Sequence, residues 1–189
     1  MLPIIELLID ELNDKVGVFA ISLVDEPAIE SNFIALNSHK VQMKVVDKEK
    51  RIVLGLALIP EKEIFRKDSE GREYNIMFSK ETVRKASELY LSRLRANNTT
   101  YGHKTQVEGV SLSETWIVED KEKDKTALYG IDAPIGSWAI SMKVENEDVW
   151  QAVKDGKVLG FSIEGIFDEK PVDKYKEMWD TIENILKED

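Results

Sequence analysis

The apolar positions of this chain change period along its length, and the changes mark its elements. "VGVFAISLVDEPAI" (16–29) opens as a nearly unbroken apolar run and stops at Asp-Glu-Pro, which predicts a strand closed by a turn. "VQMKVVD" (41–47) and "RIVLGLALIP" (51–60) predict two strands about the charged turn "KEK", the second ending at Pro60. "REYNIMF" (72–78) alternates with period two after the turn "DSEGR". From Ser79 the period lengthens. Val83, Ala86, Leu89, Tyr90 and Leu94 recur three or four residues apart, which predicts a helix capped by Ser79 and running to about residue 95. Glu81 suits the positive N-terminal end of that helix. "NNTTYG" reads as the loop that follows.

The second half predicts mainly strands: 109–119, 126–132, 136–144 and, in "KVLGFSIEGIF", 157–167. A short helix, "ENEDVWQAVKDG", precedes the last of these and stops at Gly156. Pro171 breaks the last strand. Beyond it Tyr175, Met178, Trp179, Ile182, Ile185 and Leu186 fall on one face of a final amphipathic helix. The pattern predicts an α+β fold, a mostly antiparallel sheet or barrel with a few helices. One domain over 1–170 carries a C-terminal helix (171–189) that packs on it or on a partner.

Composition narrows the chemistry. The 189 residues include no cysteine, so disulfides, thiolate nucleophiles and cysteine zinc sites are excluded. The net charge of -10 argues against sequence-independent nucleic-acid binding and against docking on an anionic membrane. No apolar run reaches the roughly 20 residues of a membrane span, and "MLPIIELLIDELNDK" does not read as a secretory signal. Phosphate cradles of the GxxxxGK[ST] and GxGxxG kinds are absent, as are HExxH and the G-x-S-x-G elbow.

Only two histidines remain to serve as a base. His39 lies in the polar connection "LNSHK", whereas His103 lies in "TTYGHKTQVEG", at a loop leading into a strand. Ser162 sits in an apolar strand between Gly160 and Gly165. A serine hydroxyl attacks only when a base takes its proton, and a neutral imidazole does so near pH 7. The bland reading of Ser162 is a small residue in a tight strand, and that of His103 a surface side chain. Neither a carboxylate-only magnesium site nor a metal-dependent hydrolase is singled out by any spacing among the 36 acids.

Four ordered stretches, "GVFAISLVDEPAIESNF", "GLALIPEKEIFRKDSEGREYNIMFSKETV", "HKTQVEGVSLSETWIVED" and "PIGSWAISMKVENEDVWQAVKDGKVLGFSIEG", resemble the XkdF-type phage serine proteases, a branch of the prohead (capsid maturation) proteases. They span most of residues 16–167, with the histidine before the serine as in that family. The resemblance implies a herpesvirus-protease-like fold, a small antiparallel β-barrel surrounded by helices. It implies Ser162 as nucleophile, His103 as base and an acidic third member. It also implies cleavage of scaffold and coat proteins inside the procapsid in the host cytoplasm, self-cleavage, a possible homodimer or higher oligomer, and no metal or cofactor. Glu114 is the choice for the acid, because alternation in "SLSETWIV" sets Leu112, Glu114 and Trp116 on one face and a half-buried carboxylate wants a partner. Its bland reading is a salt bridge to a lysine or arginine. Glu108, Glu119 and Glu164 are its rivals, Glu164 by sharing strand parity with Ser162. Backbone N–H groups of Gly136, Ser137 or Ser162 are candidate oxyanion donors. The alternative reading is a catalytically silent head-assembly or scaffold-type protein with the same fold.

Overall fold

The computed structural model describes residues 2–25 and 43–172. Its strands are β1 (Ile4–Leu8), β2 (Gly17–Val24), β3 (Lys44–Asp47), β4 (Ile52–Leu58), β5 (Ile64–Lys67) and β6 (Glu73–Phe78). After helix α1 (Lys80–Ser92) come β7 (Thr99–Tyr101), β8 (Thr105–Gln106) and β9 (Val110–Ile117), then α2 (Lys125–Leu128), β10 (Trp138–Val144), α3 (Glu147–Lys154), β11 (Gly160–Ile166) and β12 (Asp168–Val172).

These strands form three four-stranded sheets, ordered β12-β1-β6-β5, β3-β4-β10-β9 and β11-β2-β7-β8. The expected small antiparallel barrel surrounded by helices is not what the chain builds. Among the described residues strands account for 43% and helices for 16%, and the sheets are open, with no closed barrel. Nor is the pairing wholly antiparallel, since β1 runs parallel to β6 and β2 parallel to β7. A parallel pair needs a long crossover. Both pairs join strands far apart in sequence, a connection that local periodicity does not encode.

Within the central sheet, β3-β4-β10-β9, strand β4 is buried on both faces, which is why it reads as a continuous apolar run. Val53, Ala57 and Leu58 enter the main core, while Leu54 and Leu56 enter a smaller cluster with Val118, Ile131, Ala133 and Ala139. Strand β10 divides likewise, with Trp138, Ile140, Met142 and Val144 turned to the main core. Helix α1 closes one side of that core through Val83, Ala86 and Tyr90. The Tyr90 ring meets Trp138 edge-on at 5.6 Å, and its hydroxyl donates to Asn98 O at 3.0 Å. Burial pushes the Tyr90 phenol above its usual range, so it stays a donor.

Helix α1 starts as the sequence predicts, the Ser79 hydroxyl accepting from Thr82 N–H at 3.3 Å. It stops three residues early. Leu94 takes φ +56° and Arg95 N–H returns to Tyr90 O at 3.1 Å, a left-handed end without a glycine that leaves Leu94 90% exposed. Residues 126–132, expected as a strand, begin instead as α2. Asp124 caps that helix by accepting Thr126 N–H at 2.8 Å. Pro171 lies within β12, an edge strand where its missing N–H does no harm. The expected division at 170/171 falls inside β12, and the expected C-terminal helix lies outside the described residues, as does His39.

Candidate active site

Strand β2 organises the site. Its pairing with β11 shifts between Glu164 and Gly165, leaving Phe19 as the extra residue of a bulge. Past the bulge Ile21 and Leu23 point into the main core, so Ser22 points to the other face of the sheet. Ser22 lies opposite Ser162 on β11 and opposite Thr100 on β7. Partners in register share a face. A row of three hydroxyls, Thr100–Ser22–Ser162, therefore crosses three strands. Glu164, two residues beyond Ser162, lies on the same face.

His103 reaches this face from the three-residue connection Gly102, His103 and Lys104 between β7 and β8. Gly102 and His103 have φ +57° and +56°, the pair of left-handed residues that a tight hairpin of matching twist requires. Three hydrogen bonds fix the turn. Lys104 N–H donates to Tyr101 O (3.2 Å), Gly102 N–H to Leu23 O (2.9 Å) and His103 N–H to Ser22 Oγ (3.0 Å). The imidazole Nδ1 then lies 3.3 Å from Glu164 Oε1, with His103 and Glu164 side chains 17% and 22% exposed. The same carboxylate oxygen accepts a hydrogen bond from the Thr100 hydroxyl. A carboxylate at Nδ1 selects the tautomer protonated there, which leaves Nε2 free to accept a proton.

Ser162 is half-buried on this face. Among the described residues no hydrogen bond joins its hydroxyl to the imidazole; such contacts are commonly long in substrate-free enzymes and tighten around the substrate. The structure thus brings His103 and Glu164 together beside Ser162.

Glu114 lies elsewhere, on β9 of the central sheet. Its carboxylate pairs with Lys125 and is 47% exposed. The Lys125 ammonium holds that carboxyl below the usual carboxylate range. The alternation that set Leu112, Glu114 and Trp116 on one face is broken by a bulge. Leu112 pairs with Met142 and Glu114 with Ser141, so Ser113 is the extra residue. Leu112 consequently packs on the main core and Trp116 on the smaller cluster.

Of the other rivals, Glu119 is exposed and 3.4 Å from Arg84 Nη2, and Glu108 is exposed on the loop before β9. Gly136 N–H donates to Val118 O (2.8 Å) and Ser137 N–H to Pro134 O (3.0 Å), so neither amide is free to receive an oxyanion. Ile21 N–H and Leu23 O are spent on the β7 side, which turns the backbone of Ser22 toward β11 and commits Ser162 N–H to the ladder. Among the described residues no group of three or more His, Asp or Glu side chains is placed to hold a metal ion.

Sequence reasoning missed Ser22 and Thr100. The signal for Thr100 was present in "NNTTYGHK", where two threonines and a tyrosine precede a short turn containing glycine, the signature of a short hairpin strand. Ser22 carried no local signal, because its partner lies 81 residues away.

The model of the family described as "Putative phage serine protease XkdF" matches residues 40–170, which hold Ser162, His103, Glu164 and Thr100. No curated protein and no solved structure matches the chain.

Proposed function

Because the chain belongs to the XkdF family of phage serine proteases, we propose that it is a serine endopeptidase working through Ser162, His103 and Glu164. The observation that carries this reading is the 3.3 Å contact between His103 Nδ1 and Glu164 Oε1, made on the sheet face that bears Ser162.

As Ser162 Oγ attacks the scissile carbonyl carbon, His103 Nε2 takes the hydroxyl proton. Glu164 holds the ring in the productive tautomer and stabilises the imidazolium. The tetrahedral adduct collapses, the imidazolium gives its proton to the departing amine, and an acyl ester remains on Ser162. Water, losing a proton to the same Nε2, attacks the ester carbonyl. The acid product then leaves and Ser162 Oγ regains its proton. The proton transfers all run through His103.

The proposed substrates are phage scaffold and major capsid proteins, and the chain itself, cleaved within the assembling procapsid in the host cytoplasm. A homodimer or higher oligomer is part of the same proposal. A fluorophosphonate probe tests the chemistry, since it phosphonylates an activated serine oxygen and expels fluoride. The wild type gains one adduct mapping to residues 160–166, Ser162→Ala gains none, and His103→Ala labels roughly 100- to 10,000-fold more slowly. Labelling of Ser162→Ala at the wild-type rate overturns the assignment. No labelling of the wild type, even beside its capsid proteins, turns the reading to a silent head-assembly protein.

A further inference from the structure

We propose that Thr100 and Ser22 are the positioning residues of this site, Thr100 holding the acid and Ser22 holding the base. The inference rests on the reading of Ser162, His103 and Glu164 given above, and it assigns roles to two residues that touch no substrate.

Thr100 donates its hydroxyl proton to Glu164 Oε1, the same oxygen that faces His103 Nδ1. A glutamate has three side-chain torsions, so an unheld carboxylate on a sheet face samples several rotamers. The Thr100 hydroxyl, attached to a β-branched side chain stiff at χ1, removes that freedom. It also directs the oxygen toward the imidazole.

Ser22 acts on the other partner. His103 is one of four non-glycine residues with positive φ among the described residues, a conformation that persists only where neighbours impose it. Its N–H has no strand partner in the turn and is satisfied by Ser22 Oγ at 3.0 Å. Ser22 is fully buried, directly opposite Ser162, so it cannot be the residue that meets substrate. Its position between Thr100 and Ser162 ties the turn bearing the base to the strand bearing the nucleophile.

The test compares Thr100→Val, which keeps the shape and removes the donor, with Thr100→Ser, which keeps the donor, and with Ser22→Ala. Two quantities are read at a temperature well below each variant's Tm. One is the rate of fluorophosphonate labelling at Ser162. The other is the tautomer of the His103 ring by nitrogen NMR, which is simple in a chain with two histidines. Thr100→Val is expected to slow labelling by about 10-fold or more, as a misplaced catalytic group does, and to shift the ring away from the Nδ1-protonated form. Thr100→Ser restores both to near wild type. Ser22→Ala slows labelling to a similar degree with Thr100 intact.

Equal labelling and equal tautomer fractions in wild type, Thr100→Val and Thr100→Ser overturn the role of Thr100, and an unchanged rate in Ser22→Ala overturns that of Ser22. In either case a labelled wild type leaves the protease reading standing. A wild type that never labels removes that reading instead, and the tautomer measurement still decides whether Thr100 and Glu164 hold the ring.

Discussion

At the scale of single residues the site turns on which carboxylate meets His103. Glu164 does so at 3.3 Å, whereas Glu114 pairs with Lys125 in a different sheet. Glu164→Gln keeps the side-chain volume and loses the charge that favours the imidazolium. It is expected to lower peptide hydrolysis roughly 100- to 10,000-fold, while Glu114→Gln leaves the rate within about twofold; the reverse ranking in a peptidase assay would reassign the acid.

Glu114 instead contributes a pH-dependent term to stability. Its folded carboxyl titrates below the ordinary value of 4.5, so folding favours the ionised form. That contribution is complete above about pH 4.5 and is lost as pH falls through the lower folded value. Glu114→Gln should therefore narrow the loss of Tm on acidification below pH 4.5, as read by melting curves at a series of pH values. A Tm that falls with acid as steeply as in the wild type would contradict the pairing. His103 stood out because the chain has only two histidines, whereas Ser162, one of many serines, was singled out by the family resemblance. Glu164 was legible only as a matter of strand parity. The same parity points to Glu114, but the bulge at Ser113 breaks it, and nothing in "SLSETWIV" announces a bulge.

At the scale of elements, legibility followed length and capping. Helix α1 carries a cap, an acidic first turn and a repeating apolar face, and its start was readable to the residue. Ser79→Ala removes the acceptor for Thr82 N–H and is expected to cost about 1 kcal/mol, a fall in Tm of about 2–4 °C for a chain of this size. Strands β5, β7 and β8 have four, three and two residues, too few to show a period, and they form because neighbouring strands supply partners. The hairpin turn makes the clearest element-level forecast. A Cβ at Gly102 meets nothing within 4 Å, so the penalty in Gly102→Ala comes only from its φ of +57°. That variant should lose about 1–2 kcal/mol and part of its activity, because the turn carries His103. Gly165→Ala should be worse: its Cβ would sit 2.9 Å from Gly17 O and 2.7 Å from the Phe167 ring, right after Glu164. Thermal melts that rank the two variants the other way would contradict this account of the β11–β2 bulge.

At the scale of the whole molecule, the sequence conveyed a strand-rich chain but not how the strands associate. Pairing β1 with β6 and β2 with β7 in parallel spans long stretches of chain, and no turn residue specifies such a partner. The three open sheets and the inter-strand row Thr100–Ser22–Ser162 are products of that association. The proposed catalytic set depends on it too, since Ser162 and Glu164 share β11, while His103 arrives on a hairpin held by β2.

The central claim is peptide hydrolysis by Ser162, and the most direct measurement is intact-mass spectrometry of the chain expressed with its own scaffold and coat proteins. The account predicts discrete truncated products with the wild type and none with Ser162→Ala, both proteins being equally folded. Identical masses in the two samples, or the same truncations in both, would contradict it.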